Sequence, residues 1–271
     1  MVKMRQTGNI KKNSFEHDAW QQQTVVVGID EVGRGCFAGP VVAAAVILPL
    51  NKTNRMLKDS KIMTAEERNL AFAWIKSRCA YGIGIVHHRT IDQRNIWQST
   101  LIAMKKALIH ALETTSVRPS AILIDAMPLD LSGTHFHDIP VYYFPKGETK
   151  SSSIAAASIV AKVTRDAMME LYDVAIPGYA WSDNRGYGTP AHKRAIKNHD
   201  YSFIHRVSFL TKLLQEGEKK EEQLDMFSNP SIHSSSLGNL GEHSGRVELE
   251  SLREDSELAD LFFSARPECS P

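Results

Sequence analysis

Residues 24–48 read TVVVGIDEVGRGCFAGPVVAAAVIL. The stretch opens with a β-branched run, Thr24 to Asp30, and closes with a second apolar run, Val41 to Leu48. Short apolar runs bounded by turn residues are the pattern of buried strands. Between the two lie Gly33, Gly35, Gly39 and Pro40, which interrupt regular structure and turn the chain. The stretch therefore predicts a hairpin at the start of a sheet. A dinucleotide-binding turn is the competing reading of glycines after a strand. It needs Gly-x-Gly-x-x-Gly leading into a helix. Here the spacing differs, and Pro40 opens another β-branched run.

Outward from this hairpin, Tyr81–Val86, Ala121–Asp125 and Val141–Phe144 read as further strands. Thr64-Ala-Glu-Glu has the form of an N-cap leading a helix to about Arg78. Apolar residues at Ile91, Ile96, Leu101, Met104, Leu108 and Leu112 predict a long helix over 91–112. Ser152–Tyr172 reads as a helix with a small-residue face of Ala155, Ala156, Ala157 and Ala161. A hairpin followed by alternating helices and strands predicts an α/β fold: a mixed sheet flanked by helices, with a C-terminal helical portion.

The 271 residues, 42% of them hydrophobic, suffice for one sizeable core. The net charge of +1 hides a split. Residues 216–271 hold 13 acidic and 5 basic residues, net −8, which leaves 27 basic and 18 acidic in residues 1–215, net +9. A basic body points to a polyanionic partner. Residues 1–23 lack periodicity and read as a flexible basic arm, 24–215 as the folded domain that carries the strong patterns, and 216–271 as a disordered acidic tail. Three widely spaced cysteines, Cys36, Cys79 and Cys269, form neither a disulfide framework nor a metal knuckle. No apolar run approaches the roughly 18 residues of a membrane span, and the polar N-terminus is no secretory signal. The composition excludes a membrane protein and a disulfide-rich secreted module, and it predicts a cytoplasmic protein.

Acidic residues carry the chemical signal. Asp30 and Glu31 sit where a strand meets the glycine turn, Asp125 ends another strand, and Asp166 lies late in the helix beginning near Ser152. Ligand and catalytic groups of α/β sheets gather at that carboxyl-end rim. A lone acid at a strand end is most often a turn or capping residue. Four acids gathered together are different, because they stay ionised only if cations neutralise them. Oxygen ligands without histidine or cysteine select hard ions such as Mg²⁺ or Mn²⁺, and two such ions can drive hydrolysis at phosphorus. The histidines His87, His88, His135, His137 and His192 lack metal-ligand spacing, and Cys36 has no partnered base.

These residues also carry a family resemblance. Gly28-Ile-Asp-Glu-Val-Gly-Arg-Gly-Cys-Phe-Ala-Gly-Pro-Val-Val-Ala-Ala-Ala-Val (28–46) closely resembles the opening motif of the bacterial ribonuclease HII family, as does Leu57-Lys-Asp-Ser-Lys (57–61). Ile122-Leu-Ile-Asp125 resembles its third acidic position. Lys146-Gly147 with Ser153-Ile-Ala-Ala-Ala-Ser-Ile-Val-Ala-Lys-Val-Thr-Arg-Asp166 resembles the helix bearing its fourth. Gly186-Tyr-Gly-Thr189 and His192 look like the closing motif; Glu148, where many members carry Asp, is a conservative departure. The matches run in family order over about residues 24–210.

The resemblance implies a ribonuclease H-like fold and endonucleolytic hydrolysis of RNA in RNA/DNA hybrids. It also implies incision 5′ of a single ribonucleotide embedded in duplex DNA, leaving a 3′-hydroxyl and a 5′-phosphate. By position, Asp30, Glu31, Asp125 and Asp166 would hold two divalent ions, Mn²⁺ or Mg²⁺. Gly33, Arg34 and Gly35 would sense the 2′-hydroxyl, the group that separates RNA from DNA, and Tyr187 would pack on the junction sugar. Lys58, Lys61, Lys146 and Lys162 are candidate phosphate contacts. The implied state is a monomer. The sister family, ribonuclease HIII, normally carries an extra N-terminal substrate-binding domain, for which no room is expected here. A dead nuclease that only binds nucleic acid is disfavoured by the acids, since a polyanion binder gains nothing from a carboxylate cluster.

In the tail, Gln223-Leu224-Asp225-Met226-Phe227 resembles the pentapeptide by which bacterial repair proteins dock on the DNA sliding clamp, an extended anchor whose Leu and Phe fill apolar pockets. Residues 247–263 have apolar spacing compatible with a short amphipathic helix.

Overall fold

The computed structural model describes residues 3–5, 10–211 and 213. The expectations for 216–271, including Gln223–Phe227 and the stretch 247–263, lie outside the described residues.

Among the described residues, six strands form one mixed sheet in the order β1-β6-β5-β2-β3-β4. They are β1 (Lys3–Arg5), β2 (Val26–Val32), β3 (Val41–Ile47), β4 (Ala80–Val86), β5 (Ala121–Asp125) and β6 (Val141–Phe144). The expected hairpin is β2–β3, antiparallel, with Ile29 opposite Ala45 and Asp30 opposite Ala44. The expected end of the first strand moves: β2 continues two residues beyond Asp30. On its other side β2 runs parallel to β5, with Ile29 paired to Ile124. The next residues along, Asp30 and Asp125, are thereby neighbours at the carboxyl end of two parallel strands.

Both faces of the sheet are covered, which is why β3 is buried over its whole length. One face packs on α3 (His88–Glu113) through Met104, Ala107, Leu108 and Ala111. The other packs on α2 (Ala65–Arg78) and α5 (Ser152–Ala175) through Ile75, Ala155, Ala156, Ile159 and Val160. The alanine face lets α5 come very close. At Gly28 a Cβ would stand 2.1 Å from the Ser153 carbonyl carbon, so only glycine admits the helix there. Thr64 caps α2 as its sequence predicts: it accepts from Glu67 N while Glu67 accepts from Thr64 N. Such a cap is worth about 1 kcal/mol.

Two further expectations change. Residues 1–23 are not all irregular, since Ser14–Gln21 form helix α1 and β1 adds to β6 as the edge strand of the sheet. The buried Glu16 of α1 accepts from Ser151 Oγ at 2.5 Å and Ser153 N at 3.1 Å, which fastens α1 to the start of α5. The long helix is broken at Asn95 (φ 68°, ψ 163°), whose side chain caps the following segment by accepting from Gln98 N at 3.0 Å. The expected C-terminal helical portion comprises α6 (Trp181–Asn184) and α7 (Pro190–His199), packed with Tyr179, Ile204 and Leu210 around a small separate core. Between β6 and α5 lies one further turn of helix, α4 (Gly147–Lys150). Among the described residues no helix is long and apolar enough to cross a membrane.

Candidate active site

Asp30 is 8% exposed, and its Oδ1 accepts from Glu31 N at 2.8 Å. Burial pushes its carboxyl well above the usual range, and the charges of Glu31 and Asp125 push further; a hydrogen bond from Ser158 pulls the other way. Burial likewise raises Glu31, against the pull of Arg34, whose Nη1 lies 3.3 Å from Oε1. Glu31 Oε2 is buried without a partner. Asp125 accepts from Gly147 N at 2.9 Å through Oδ1. The Lys146-Gly147 turn brings that amide in: Lys146 takes a left-handed φ of 58°, and Gly147 packs against Ile154 and Asp125. Three of the four expected acids therefore share one electrostatic neighbourhood.

The fourth expected acid is differently engaged. Asp166 Oδ1 lies 2.8 Å from Lys162 Nζ, one helical turn earlier, and its backbone carbonyl accepts from Arg185 Nη1 at 3.0 Å. Its charge is felt at Tyr187. Beside Asp125 the fold presents a further acid, Glu148, in the first turn of α4. Glu148 is 8% exposed, its Oε2 is buried without a partner, and its carboxyl is raised first by burial and then by the charge of Asp125. The sequence marks Glu148 only as a conservative departure, outside the acidic set. The signal it does offer is its place just beyond a strand, on the rim that carries Asp125.

A cleft of about 400 Å³ opens on this neighbourhood, lined by Asp30, Glu31, Lys61, Ser158, Lys162 and Tyr187. Lys61 offsets the charge of both Glu31 and Glu148. Lys146 is exposed at the turn beside Asp125, and Lys58 is taken up by Glu67 at 3.0 Å. Tyr187 is 40% exposed at the cleft, bridged through its backbone to Cys36. His192 Nδ1 meets the Tyr187 carbonyl at 2.9 Å, and His192 Nε2 meets His205 Nε2 at 3.0 Å.

Two fully buried arginines hold the glycine turn from behind, and sequence reasoning gave neither a role. Arg165 donates to the carbonyls of Pro40 (2.9 Å), Ala38 (3.1 Å) and Arg185 (2.8 Å). Arg206 donates to Gly39 through Nε (3.0 Å) and Nη2 (2.8 Å), and to Arg34 through Nη1 (3.0 Å). Burial pulls Arg206 down to about 10. Carbonyls drawn inward by guanidinium groups fix the turn's shape and tie it to the segment that carries Tyr187. Gly33 takes φ +91° within this arrangement.

The donor chemistry suits a hard divalent ion. Asp30, Glu31, Asp125 and Glu148 offer oxygen only, and two of the four hold an unpartnered buried oxygen. Among the described residues no three His, Cys, Asp or Glu side chains converge tightly enough to grip an ion as they stand. Glu31 leans to Arg34 instead, and Asp166 to Lys162.

The sequence profile of the ribonuclease HII family matches residues 27–212. Ribonuclease HII of Listeria innocua is 46% identical over 202 residues, 74% of each chain. Ribonuclease HII of Lacticaseibacillus paracasei is 45% identical over 199 residues, 73% of this chain and 75% of that one. The crystal structure of ribonuclease H2 from Pyrococcus horikoshii superposes with a TM-score of 0.59 at 24% identity, covering 72% of this chain and all of that one. Bst-RNase HIII in complex with Mn²⁺ superposes with a TM-score of 0.55 at 22% identity, covering 74% and 73%.

Proposed function

This chain belongs to the ribonuclease HII family, a metal-dependent endoribonuclease of the ribonuclease H type 2 class, and from that premise we propose that Asp30, Glu31, Asp125 and Glu148 hold two divalent ions, Mg²⁺ or Mn²⁺. The observation that carries this reading is the pair of unpartnered buried oxygens, on Glu31 and Glu148, flanking the adjacent Asp30 and Asp125. When bound, such ions supply an activated water and charge stabilisation at the scissile phosphate. Asp166 then acts through Lys162, holding the ammonium group at the cleft wall where phosphate passes. Lys61 and Lys146 are further phosphate contacts in this reading, and Lys58, paired with Glu67, is not.

The substrate is RNA paired with DNA, and at its finest a single ribonucleotide in duplex DNA, cut on its 5′ side. Gly33, Arg34 and Gly35 bring backbone amides to the 2′-hydroxyl, and Tyr187 packs on the sugar at the junction, a shape test that tolerates any base. Arg165 and Arg206 keep turn and tyrosine in one geometry. The protein acts as a monomer in the cytoplasm. Residues 24–215 form its catalytic domain, and Gln223, Leu224, Asp225, Met226 and Phe227 tether it to the DNA sliding clamp.

A paired substitution tests the assignment of the fourth acid. Glu148→Gln lowers cleavage in Mn²⁺ by at least about a hundredfold, the scale on which misplaced catalytic geometry is felt. Asp166→Asn costs less and leaves Mn²⁺ binding, read by calorimetry, near wild type. The opposite ranking would return Asp166 to the metal site and remove Glu148.

A further inference from the structure

Trp97 is 43% exposed, whereas Trp20 and Trp181 are buried at 6% and 0%. Its ring is not idle on the surface. The Arg34 guanidinium carbon lies 5.9 Å from the ring centroid, and Arg34 also reaches Glu31 at 3.3 Å. The indole therefore stands one residue away from the acidic cluster, at the mouth of the turn that reads the substrate. A costly backbone feature puts it there. Asn95 adopts φ 68°, ψ 163° inside α3, and the helix restarts at Ile96 with Trp97 in its first turn. Non-glycine residues hold such conformations only when the surroundings impose them, and these features cluster at working sites. Arg34 Nε is buried without a partner, so this stacked pair retains an unused donor. Arg89 and Arg94, on the same segment, are exposed.

Resting on the nuclease reading, we propose that Trp97 is a binding residue for the duplex flank: its exposed ring packs on the sugar edge of the nucleic acid beyond the cleft, with Arg34 stacked behind it and Arg89 and Arg94 meeting the adjoining phosphates. An aromatic face beside cations is the usual means of gripping nucleic acid without reading its sequence. The contact lies outside the acid cluster, so it governs how long a substrate stays more than how fast it is cut.

The test uses the full chain with Trp97→Ala, Trp97→Phe and Ile109→Ala, the last an equally exposed apolar residue (42%) further along α3. On a long DNA duplex with one ribonucleotide, Trp97→Ala raises KM by about tenfold, within the range of an aromatic–nucleic acid contact, with a much smaller change in kcat. Trp97→Phe recovers most of that loss, and Ile109→Ala leaves KM at the wild-type value. In parallel, an uncleavable all-DNA duplex quenches wild-type tryptophan fluorescence, and the quench disappears in Trp97→Phe. An unchanged KM in Trp97→Ala overturns the proposal. So does a fall confined to kcat, which would mean that Trp97 only steadies Arg34 beside Glu31. If the wild type cuts nothing, the nuclease reading fails, but the quench still decides whether Trp97 meets the duplex.

Discussion

Gly33→Ala is the sharpest structural perturbation of the glycine turn between β2 and β3. Gly33 sits at φ +91°, and a Cβ there would lie 2.3 Å from Arg165 Nε, 2.8 Å from Arg165 Cδ and 2.8 Å from Pro40 O. Forcing alanine into a left-handed conformation costs about 1–2 kcal/mol. The clash adds to this, because Arg165 cannot withdraw freely: it is fully buried and holds three carbonyls. Giving up one hydrogen bond from a charged group costs about 1.5–3 kcal/mol. Together these come to about 2.5–5 kcal/mol. For a domain of this size that is a fall in Tm of roughly 5–20 °C, at about 2–4 °C per kcal/mol. The turn moves as Arg165 moves, and displacement of a positioning element by an ångström costs on the order of a hundredfold in rate. Gly35 provides the internal control, since nothing lies within 4 Å of a Cβ there. Gly35→Ala should melt within about 0.5 kcal/mol of wild type. The assay is thermal melting beside cleavage of two substrates, a continuous RNA/DNA hybrid and a duplex with one ribonucleotide. The single-ribonucleotide substrate should lose more. Wild-type melting of Gly33→Ala, equal melting of the two alanine variants, or equal losses on both substrates would refute the reasoning.

Other outcomes follow from the same geometry. Asp30→Asn and Asp125→Asn should each abolish cleavage while largely sparing duplex binding by gel shift; cleavage retained in both removes the acid cluster from catalysis. Stability should fall on acidification through the buried His192–His205 contact. Burial, with the neighbouring His192, pushes the 2%-exposed His205 down to about 4 in the folded chain, against about 6.5 unfolded. Above pH 6.5 both states are neutral and nothing is lost. Between about 6.5 and 4 only the unfolded chain takes the proton, so on the order of 3 kcal/mol drains away over that window. Urea melts from pH 7.5 to 4.5 should show the decline, and His205→Gln should make it shallower; an unchanged slope would remove His205 as its source. Truncation after residue 215 should leave cleavage of short duplexes intact, and loss of activity would make the tail part of the catalytic fold.

Much of this site was legible because strands and glycine turns are written locally. The runs 24–30 and 41–48 specify a hairpin by composition alone, and the end of the 121–125 run places Asp125 at the rim. The capping box at Thr64 needed only residues three apart. What escaped depends on partners distant in sequence. Helix α1 reads as polar arm, because what holds it is Glu16 reaching Ser151 and Ser153, 135 and 137 residues away. Arg165 and Arg206 draw no role from the sequence, since the carbonyls of Pro40, Ala38 and Gly39 that they hold lie more than 120 residues off. The break at Asn95 leaves the apolar spacing of α3 unchanged and so casts no shadow in the pattern. Glu148 and Asp166 are both acids near the rim by sequence. Only three-dimensional placement gives one a buried free oxygen beside Asp125 and the other a lysine.

The most direct measurement is incubation of the full chain with a DNA duplex carrying one ribonucleotide, in Mg²⁺, in Mn²⁺ and in chelator. The account predicts a single metal-dependent cut on the 5′ side of the ribonucleotide, leaving a 3′-hydroxyl and a 5′-phosphate. Cleavage that survives the chelator would contradict the metal site, and cleavage of continuous hybrids alone would contradict the junction reading by Gly33, Arg34, Gly35 and Tyr187.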